Sequence, residues 1–341
     1  MKQKILITGS SGFIGKKLVA LLQKKHNLFL IDKNYASVNK SKFFKINLLD
    51  IDKLENFFKK NEINTIIHLA SEIFDDDNNV YNFNLKTSQN LISMAEKYKI
   101  KNFIFTSTFS IYEKNYTKSI KENEIPSAKN FYGKSKFAIE KRLKKSKISN
   151  FTILRVPVVV GKSRSHRMGI LFELIRNNLP LLLIDNGKHK IHFISVEELV
   201  IIIEKCLKLK KRNLFNVGAK YINTFRENIE YILKKSKSNS KIISINNYIG
   251  SYLLNVLIFF NLVDINFYHK VLLTKNIVLN TDKVNKKLKL KFKNSTKEIL
   301  LDSYNYYYKN LNKINTIETG SDKKPSMKIF YIFKFFSFLF K

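Results

Sequence analysis

The sequence predicts an α/β protein with a doubly wound parallel sheet and a smaller substrate lobe toward the C-terminus. Over residues 1–160, short apolar runs with strand character alternate with helical segments, which is typical of parallel sheets with helices on both faces. Glycine and polar residues follow the ends of these runs, and in such sheets ligands bind at the carboxyl ends of the strands. With 341 residues the chain can bury one large core and a smaller one.

A glycine turn joins the first predicted strand to the first predicted helix. Lys4–Thr8 is a short apolar run, and Phe13–Leu22 has the spacing of an amphipathic helix. Glycines at positions 9, 12 and 15 allow a tight turn and a close approach of helix to strand, and the N–H groups at the helix start suit a pyrophosphate. The pattern therefore predicts a Rossmann-type dinucleotide site. Its predicted contacts are Gly9, Gly12, Phe13, Ile14 and Gly15.

The second strand, predicted at residues 27–31, leads directly into Asp32. A carboxylate at this distance from the glycines accepts hydrogen bonds from both hydroxyls of the adenosine ribose and repels a 2′-phosphate. The sequence therefore predicts NAD rather than NADP as the cofactor.

The alternation continues as far as residue 160. Further strands are predicted at residues 42–46, 65–70, 102–107 and 151–160. Helices are predicted between them at residues 51–61, 80–97 and 131–145. Since helices separate most of these strands, we expect parallel strands joined by crossover helices.

From Ser163 onward the alternation weakens, which predicts a change of domain. We expect a nucleotide-binding domain over residues 1–162, to which 186–218 return. The predicted substrate lobe consists of residues 163–185 and 219–311. The polar segment 312–327, with its Gly and Pro, predicts a linker to an apolar and basic tail at 328–341.

Two tyrosines that could carry chemistry have a lysine four residues later, Tyr132 with Lys136 and Tyr231 with Lys235. In a chain so rich in lysine this spacing also arises by chance, so position must separate the pairs. Tyr132 opens a predicted helix after the fifth strand, and the i, i+4 spacing puts Lys136 on the same face. Tyr231 lies in the predicted substrate lobe. We therefore predict that the first pair is catalytic.

Thr8–Gly15 reads T-G-x-x-G-F-I-G, and this stretch resembles the extended short-chain dehydrogenase/reductase family, in particular its NAD-dependent epimerase/dehydratase branch with the nucleotide-sugar epimerases. The resemblance runs from Met1 to about Leu311. FIFTSTFSIYE, residues 103–113, resembles the S-S-x-x-x-Y-G stretch of the family. This similarity places Thr108 at the catalytic serine or threonine position.

The resemblance implies one catalytic set, with Tyr132 as the acid and base that acts on a substrate hydroxyl or carbonyl. Lys136 is expected to hold the nicotinamide ribose and to lower the pKa of Tyr132 through its positive charge. Thr108 is expected to donate a hydrogen bond to the same substrate oxygen. The nicotinamide of NAD carries the hydride.

Other positions match the cofactor-binding pattern of the family. The further contacts implied by the resemblance are Asn47, Leu48, Leu69 and Ala70. His68 is expected to be a packing and loop residue of the H-x-A turn, not a metal ligand, and no cluster has metal-ligand spacing. Asn84 has two interpretations, a brace for the strands of the site or a solvent-facing helix residue.

Departures from the family pattern narrow the reaction. Dehydratases of this family carry Asp-Glu after the catalytic threonine, whereas Phe109 and Ser110 stand here, which argues against dehydration. Val158 takes the place of a sugar-binding asparagine. Ile191 takes the place of a diphosphate-binding arginine, which puts UDP-sugar binding in doubt. Candidate substitutes for that arginine are Lys188, Lys190 and His192.

We therefore predict an NAD-dependent enzyme, an epimerase that oxidises and re-reduces C4 of a nucleotide-linked sugar for surface polysaccharide. Residues 261–290 also resemble 3β-hydroxysteroid dehydrogenase-like members, so a hydroxyl dehydrogenase or ketoreductase with net hydride transfer is one alternative. A non-catalytic NAD-binding protein is the other.

The net charge of +35 points to anionic partners. However, only seven of the 62 basic residues are arginine, and the lysines are spread along the chain, which indicates a compositional bias and no nucleic-acid partner. The single cysteine, Cys206, excludes an internal disulfide and fits a reducing compartment. The N-terminus leads directly into the first strand and leaves no room for a signal peptide. We expect a cytoplasmic homodimer.

The tail at residues 328–341 combines aromatic and aliphatic residues with lysines. Its apolar part is too short to span a bilayer but suits an anionic membrane interface. We expect peripheral membrane contact, with packing on a partner subunit or on the chain's own surface as the alternatives.

Overall fold

The computed structural model describes residues 2–34, 42–73, 77–161, 168–259 and 274–310. The predicted linker and the predicted tail lie outside these residues.

The strands of the described part are numbered in chain order. They are β1 (Lys4–Thr8), β2 (Asn27–Asp32), β3 (Lys42–Lys45), β4 (Thr65–His68), β5 (Asn102–Thr108), β6 (Asn150–Val156), β7 (Val158–Val160), β8 (Leu181–Ile184), β9 (Phe193–Ser195), β10 (Arg212–Asn216) and β11 (Ile242–Ile245). The helices are α1 (Phe13–Leu22), α2 (Ile51–Lys60), α3 (Asn78–Lys97), α4 (Phe131–Lys144), α5 (Gly169–Arg176), α6 (Val196–Cys206), α7 (Phe225–Ser236), α8 (Asn247–Phe259), α9 (Asp282–Leu288) and α10 (Thr296–Lys309).

Seven parallel strands form the central sheet, in the order β10-β6-β5-β4-β1-β2-β3. The predicted α/β class and doubly wound parallel sheet are confirmed. From β1 the chain proceeds outward to β2 and β3 on one side and to β4, β5 and β6 on the other. The strand order thus reverses beside β1, and the crevice at this reversal is where such sheets bind ligands.

Helices cover both faces of the sheet because its strands are apolar on both sides. In β1, Ile5 and Ile7 pack toward Leu18 and Leu199 of α1 and α6. Leu6 faces the opposite way, into the cluster that α2, α3 and α4 complete. The period of two along the strand thus supplies one apolar layer to each helical layer.

The predicted strand 151–160 is two strands, broken at Pro157. A proline has no N–H to donate to a ladder, and after it β7 leaves the central sheet to pair with β9, with Val158 opposite Phe193. The chain later returns to the central sheet, where β10 pairs with β6.

The smaller lobe contains the parallel pair β8 and β11 with α5, α7, α8 and α10. Its core includes Phe172 and Tyr304, whose rings meet edge to face. The Tyr307 hydroxyl donates to Glu173 at 2.8 Å and ties α10 to α5. No helix in the described part of the chain is both long and apolar enough to cross a bilayer.

Candidate active site

A cavity of about 450 Å³ opens at the carboxyl edge of the sheet beside β1. It contains every residue that the sequence predicts to bind the cofactor or to act in catalysis. These residues are Gly9, Gly12, Phe13, Ile14, Gly15, Asp32, Asn47, Leu48, Leu69, Ala70, Thr108, Tyr132 and Lys136.

The glycine turn leaves its part of the cavity open to a ligand. Gly9 has a φ of +71°, and a Cβ there would lie 2.6 Å from the Ala70 nitrogen. A Cβ on Gly15 would overlap the Gly9 carbonyl oxygen, so α1 can approach β1 only with glycine at this position. No side chain caps α1 at Gly12, so the helix start faces the cavity as a pyrophosphate site requires. The turn fits the dinucleotide.

Asp32, at the end of β2, is held in place by the turn around it. Its carboxylate accepts from the Ser11 N–H at 2.9 Å and from the Asn34 N–H at 3.1 Å. Beside it, Lys33 forms an ion pair with Glu72, and both side chains line the cavity. The negative charge of Asp32 lies where the sequence predicts recognition of the ribose.

Asn47 and Leu48 line the same end of the cavity from the turn after β3. The Asn47 side-chain oxygen already accepts from the Leu49 N–H at 3.1 Å, and an amide oxygen has a second lone pair for a ligand. The Leu48 carbonyl accepts from the Asn90 side chain at 2.9 Å, which fixes the turn to α3.

His68 is fully buried under the cavity and not in it. Its Nδ1 lies 2.7 Å from the Thr8 hydroxyl, and its Nε2 lies 2.9 Å from the Ser88 hydroxyl. Burial, reinforced by the charge of Lys136, lowers the pKa of His68 to about 3. The ring is thus a neutral packing residue that joins β1 to α3, as the sequence predicts.

Asn84 is a brace and not a solvent-facing residue. It is buried in α3, where its side-chain oxygen accepts from the Glu72 N–H at 2.8 Å and its amide donates to the Glu72 carbonyl at 2.9 Å. This pair of bonds fixes the loop after β4, which forms one wall of the cavity.

Thr108, Tyr132 and Lys136 meet at the other end of the cavity. Thr108 ends β5, and Tyr132 and Lys136 lie in the first two turns of α4. The Lys136 ammonium lies 5.7 Å from the centre of the Tyr132 ring and donates to the Thr106 carbonyl at 3.0 Å. Burial lowers the pKa of Lys136 to about 7.

The start of α4 is pressed against the loop that follows Thr108. Asn130 caps the helix by accepting from the Gly133 N–H at 2.6 Å, and it donates to the Ser110 carbonyl at 3.2 Å. Ser110 in turn bonds to the Thr108 hydroxyl at 3.1 Å. A Cβ on Gly133 would overlap the Ser110 oxygen. These contacts fix Tyr132 relative to Thr108.

Sequence reasoning missed Glu113, which stands where the family pattern has glycine. Its buried carboxylate accepts from the N–H groups of Lys129 and Asn130, at 2.9 and 2.8 Å, and anchors the start of α4. The available signal was an acidic residue directly after Tyr112 in an apolar stretch.

An ion pair that the sequence did not predict lies behind the site. Arg155 of β6 is almost fully buried and forms an ion pair with Glu140 of α4 at 2.8 Å. Glu140 also accepts from the Ser107 hydroxyl at 2.6 Å, and Arg155 donates to Tyr112. The pair is satisfied on both sides and ties α4 to β5 and β6.

The proposed substitutes for the missing arginine do not line the cavity. His192 is wrong as a candidate because it is buried, with Nδ1 accepting from the Leu279 N–H at 3.1 Å and Nε2 donating to the Ala219 carbonyl at 3.0 Å. Burial lowers its pKa to about 4, so it offers no charge. Lys188 and Lys190 are exposed, and Val158 lines the cavity.

Tyr231 and Lys235 lie on α7 in the smaller lobe and do not line the cavity.

Cys206 is buried, and burial raises its thiol pKa to about 12. Within the described ranges, no three His, Cys, Asp or Glu side chains gather as metal ligands would.

Comparison with known proteins identifies the family. Residues 5–218, more than half of the chain, match the model of the "NAD dependent epimerase/dehydratase family". The chain belongs to this family. The predicted family, a family of NAD-dependent enzymes, is confirmed.

Individual relatives include both reaction types. The chain is 27% identical to a dTDP-D-glucose 4,6-dehydratase of Dictyostelium discoideum over 261 residues, 64% of this chain and 59% of that protein. It is 30% identical to a UDP-glucose 4-epimerase of Haemophilus influenzae over 198 residues, 51% of this chain and 59% of that protein. The chain thus spans less than two thirds of the length of these relatives.

A UDP-glucose 4-epimerase from Thermotoga maritima, solved with UDP-glucose, resembles the whole fold. Its TM-score is 0.74 at 19% identity, and the match covers 90% of this chain and 99% of that one. At this identity the likeness establishes the Rossmann-type fold.

Proposed function

We propose that this protein is an NAD-dependent epimerase that inverts C4 of a nucleotide-linked sugar, in the synthesis of surface polysaccharide. The observation that carries the proposal is the single cavity that joins Asp32 and the glycine turn to Tyr132, Lys136 and Thr108. β2 and β5 are three strands apart in the sheet, roughly 14 Å at the usual strand spacing. This separation suits an extended dinucleotide with its reactive end at Tyr132.

When bound, NAD supplies the hydride acceptor and donor. Tyr132 takes the proton from the substrate hydroxyl as C4 is oxidised and returns it when the ketone is reduced on its other face. Thr108 donates a hydrogen bond to the same oxygen. Residues 163–185 and 219–311 are assigned to the sugar and its nucleotide.

Lys136 controls the proton on Tyr132. As an ammonium it favours the ionised tyrosine, because an opposite charge nearby lowers the pKa of a phenol. Burial brings the pKa of Lys136 to about 7, so this cation is lost as the pH rises through neutrality unless a bound ligand restores it. With NAD bound, its ammonium would also hold the nicotinamide ribose.

Dehydration is less well supported than epimerisation. Phe109 and Ser110, at the positions of the extra acid and base, are buried and do not line the cavity. Among the described lining residues the carboxylates are Asp32 and Glu72, and neither follows β5. Oxidation and reduction at one carbon need NAD for the hydride and, from the protein, only Tyr132, Lys136 and Thr108.

Redox balance separates an epimerase from an enzyme with net hydride transfer. We expect no NADH to accumulate, measured as absorbance near 340 nm, while UDP- and GDP-sugars are converted over many turnovers to their C4 epimers, detected by chromatography. Stoichiometric NADH would instead support the hydroxyl dehydrogenase, and a 4-keto-6-deoxy product the dehydratase. Bound NAD without any turnover would support the non-catalytic alternative.

Two partners belong to this proposal. We propose a cytoplasmic homodimer, to be tested by sedimentation equilibrium.

We also propose that residues 328–341 contact the inner face of a membrane, because lysines flank an apolar stretch there. Removal of residues 326–341 should weaken binding to anionic liposomes and leave NAD binding unchanged, and equal binding by both forms would refute the tail contact.

A further inference from the structure

The outer surface of the smaller lobe carries an unusual concentration of exposed apolar side chains on α8. Tyr248 is 88% exposed, Ile249 61% and Tyr252 72%. Soluble surfaces seldom group large apolar side chains in this way unless they bind something.

The geometry of α8 shows which side faces outward. A Cβ on Gly250 would lie 2.8 Å from the Ile184 side chain, so the Gly250 side of the helix packs on β8. At about 100° per residue, Tyr248 and Tyr252 lie within about 40° of each other and nearly opposite Gly250. The two phenol rings therefore project away from the lobe.

The polar residues of α8, Asn247, Ser251 and Asn255, follow one another at intervals of four and share one side of the helix. Asn247–Phe259 contains no charged residue, so α8 combines an uncharged polar stripe with a wide apolar face. Its 13 residues rise about 20 Å, short of the roughly 30 Å of a bilayer core. A helix of this kind lies in a membrane interface and does not cross it.

The charges that precede α8 in the sequence are basic, and one exposed acid, Asp185, follows the β8 residue that Gly250 contacts. Residues 231–259 contain no Asp or Glu. Four exposed lysines occur in the same stretch, at positions 234, 235, 237 and 241. Exposed lysines beside an apolar aromatic face are complementary to anionic headgroups, within the roughly 8–10 Å range of such attraction in physiological salt.

We propose that the exposed face of α8 (Tyr248, Ile249 and Tyr252) docks on an anionic lipid surface. The aromatic rings enter the interface, where a ring with a polar hydroxyl is favoured, and the lysines contact the headgroups. None of these three residues lines the NAD cavity.

The chain contains no tryptophan, so one substitution gives a specific reporter. We expect Tyr252→Trp in the full chain to emit as a solvent-exposed indole in buffer and to shift to shorter wavelength with phosphatidylglycerol–phosphatidylcholine vesicles. Tyr221→Trp, at a tyrosine 52% exposed elsewhere, should not shift. A short-wavelength emission already in buffer would mean that the chain itself or a second copy covers α8, and this would overturn the proposal, as would no shift on vesicles.

Vesicle sedimentation gives the energetic test. Ile249→Ser with Tyr252→Ser removes two apolar side chains, and we expect binding to weaken at least about tenfold. The matched control is Ile125→Ser with Tyr221→Ser, an exposed pair that should leave binding unchanged. Unchanged NAD affinity in both variants verifies the fold. Equal loss in both variants, or equal binding to pure phosphatidylcholine vesicles, would refute an anionic lipid site at α8.

Discussion

The chain contains the same tyrosine–lysine spacing twice, and the two copies have different surroundings. In α4 the Lys136 ammonium lies 5.7 Å from the centre of the Tyr132 ring, and in α7 the Lys235 ammonium lies 5.7 Å from that of Tyr231. The local geometry that the spacing produces is therefore the same. Lys136, however, is buried beside a cavity, whereas Lys235 is exposed on the smaller lobe.

The i, i+4 spacing thus brings a lysine close to a tyrosine in both helices, whereas the surroundings of the pair decide whether it can take part in proton transfer. α4 begins at the carboxyl edge of a parallel sheet, with Asn130 and Gly133 held against the Thr108 loop. Burial there moves the pKa of Lys136 toward neutrality, as a group in a proton-transfer site requires. Tyr231 and Lys235 of α7 do not line that cavity.

The largest expected effect is on turnover. Tyr132→Phe should lower kcat by about 10³-fold, because only the proton path is cut, and should leave NAD affinity unchanged. Tyr231→Phe should retain nearly full activity. Steady-state kinetics and NAD titration of both variants test the comparison, and similar losses in the two would show that position does not separate the pairs.

The second largest expected effect is on stability, where the salt bridges of α4 and α7 should contribute different amounts to the free energy of unfolding. Glu140→Ala leaves Arg155 charged and buried, which should cost about 3–5 kcal/mol of unfolding free energy. Glu230→Ala breaks only the exposed pair with Arg226 of α7 and should cost little. Urea unfolding measures both. Glu140→Gln keeps the shape and should fall between them, whereas a small loss in Glu140→Ala would mean that Arg155 finds another partner.

The third test concerns Asp32, at the end of the cavity opposite Tyr132 and Lys136, and its effect on the choice between NAD and NADP. The unmodified protein should bind NAD at least about tenfold more tightly than NADP, because Asp32 repels a 2′-phosphate. Asp32→Ala should narrow that ratio, while Glu230→Ala in α7 should not change it. Calorimetric titration with both dinucleotides decides the matter, and equal affinities in the unmodified protein would contradict the assignment of Asp32.

The smallest effect concerns stability and pH. Since burial depresses the pKa of Lys136 below its unfolded value, the folded protein binds fewer protons than the unfolded one between about pH 7 and 10.5, and stability rises with pH in that window. Lys136→Met should therefore raise the Tm of the ligand-free protein by about 3 °C at pH 6, with the gain shrinking toward pH 10. Measured by calorimetry in the same way, Lys235→Met should leave the Tm unchanged at both pH values. A gain in Tm that is the same at pH 6 and pH 10 in Lys136→Met would contradict the lowered pKa of Lys136.

Most of the fold could be predicted because it depends on local patterns. The glycine turn, the strand that precedes it and Asp32 lie within the first 32 residues, and helix α1 was predicted with its observed bounds. The break after β6 was missed because the run remains apolar across Pro157, and only the missing N–H reveals where the ladder ends.

Contacts between distant segments could not be predicted. The sequence places Arg155 at a strand end but does not show that Glu140 is its partner, because their pairing depends on how α4 packs on β6. His192, one of three candidate substitutes for the arginine, is ruled out for the same reason, since the Leu279 N–H and the Ala219 carbonyl that bond to its ring come from other parts of the chain. Burial decides the role of these side chains, and burial belongs to the tertiary structure.

Gly133 has a consequence for any attempt to redesign this enzyme. Because Gly133 has no side chain, the start of α4 packs directly against the Ser110 carbonyl. A methyl group at this position would push α4 away from that carbonyl and move Tyr132 away from Thr108. The smaller lobe is not part of this contact, so we expect exchanges there to leave that spacing unchanged. A library that varies position 133 would instead sample enzymes that keep all three reactive groups and hold them at the wrong distance.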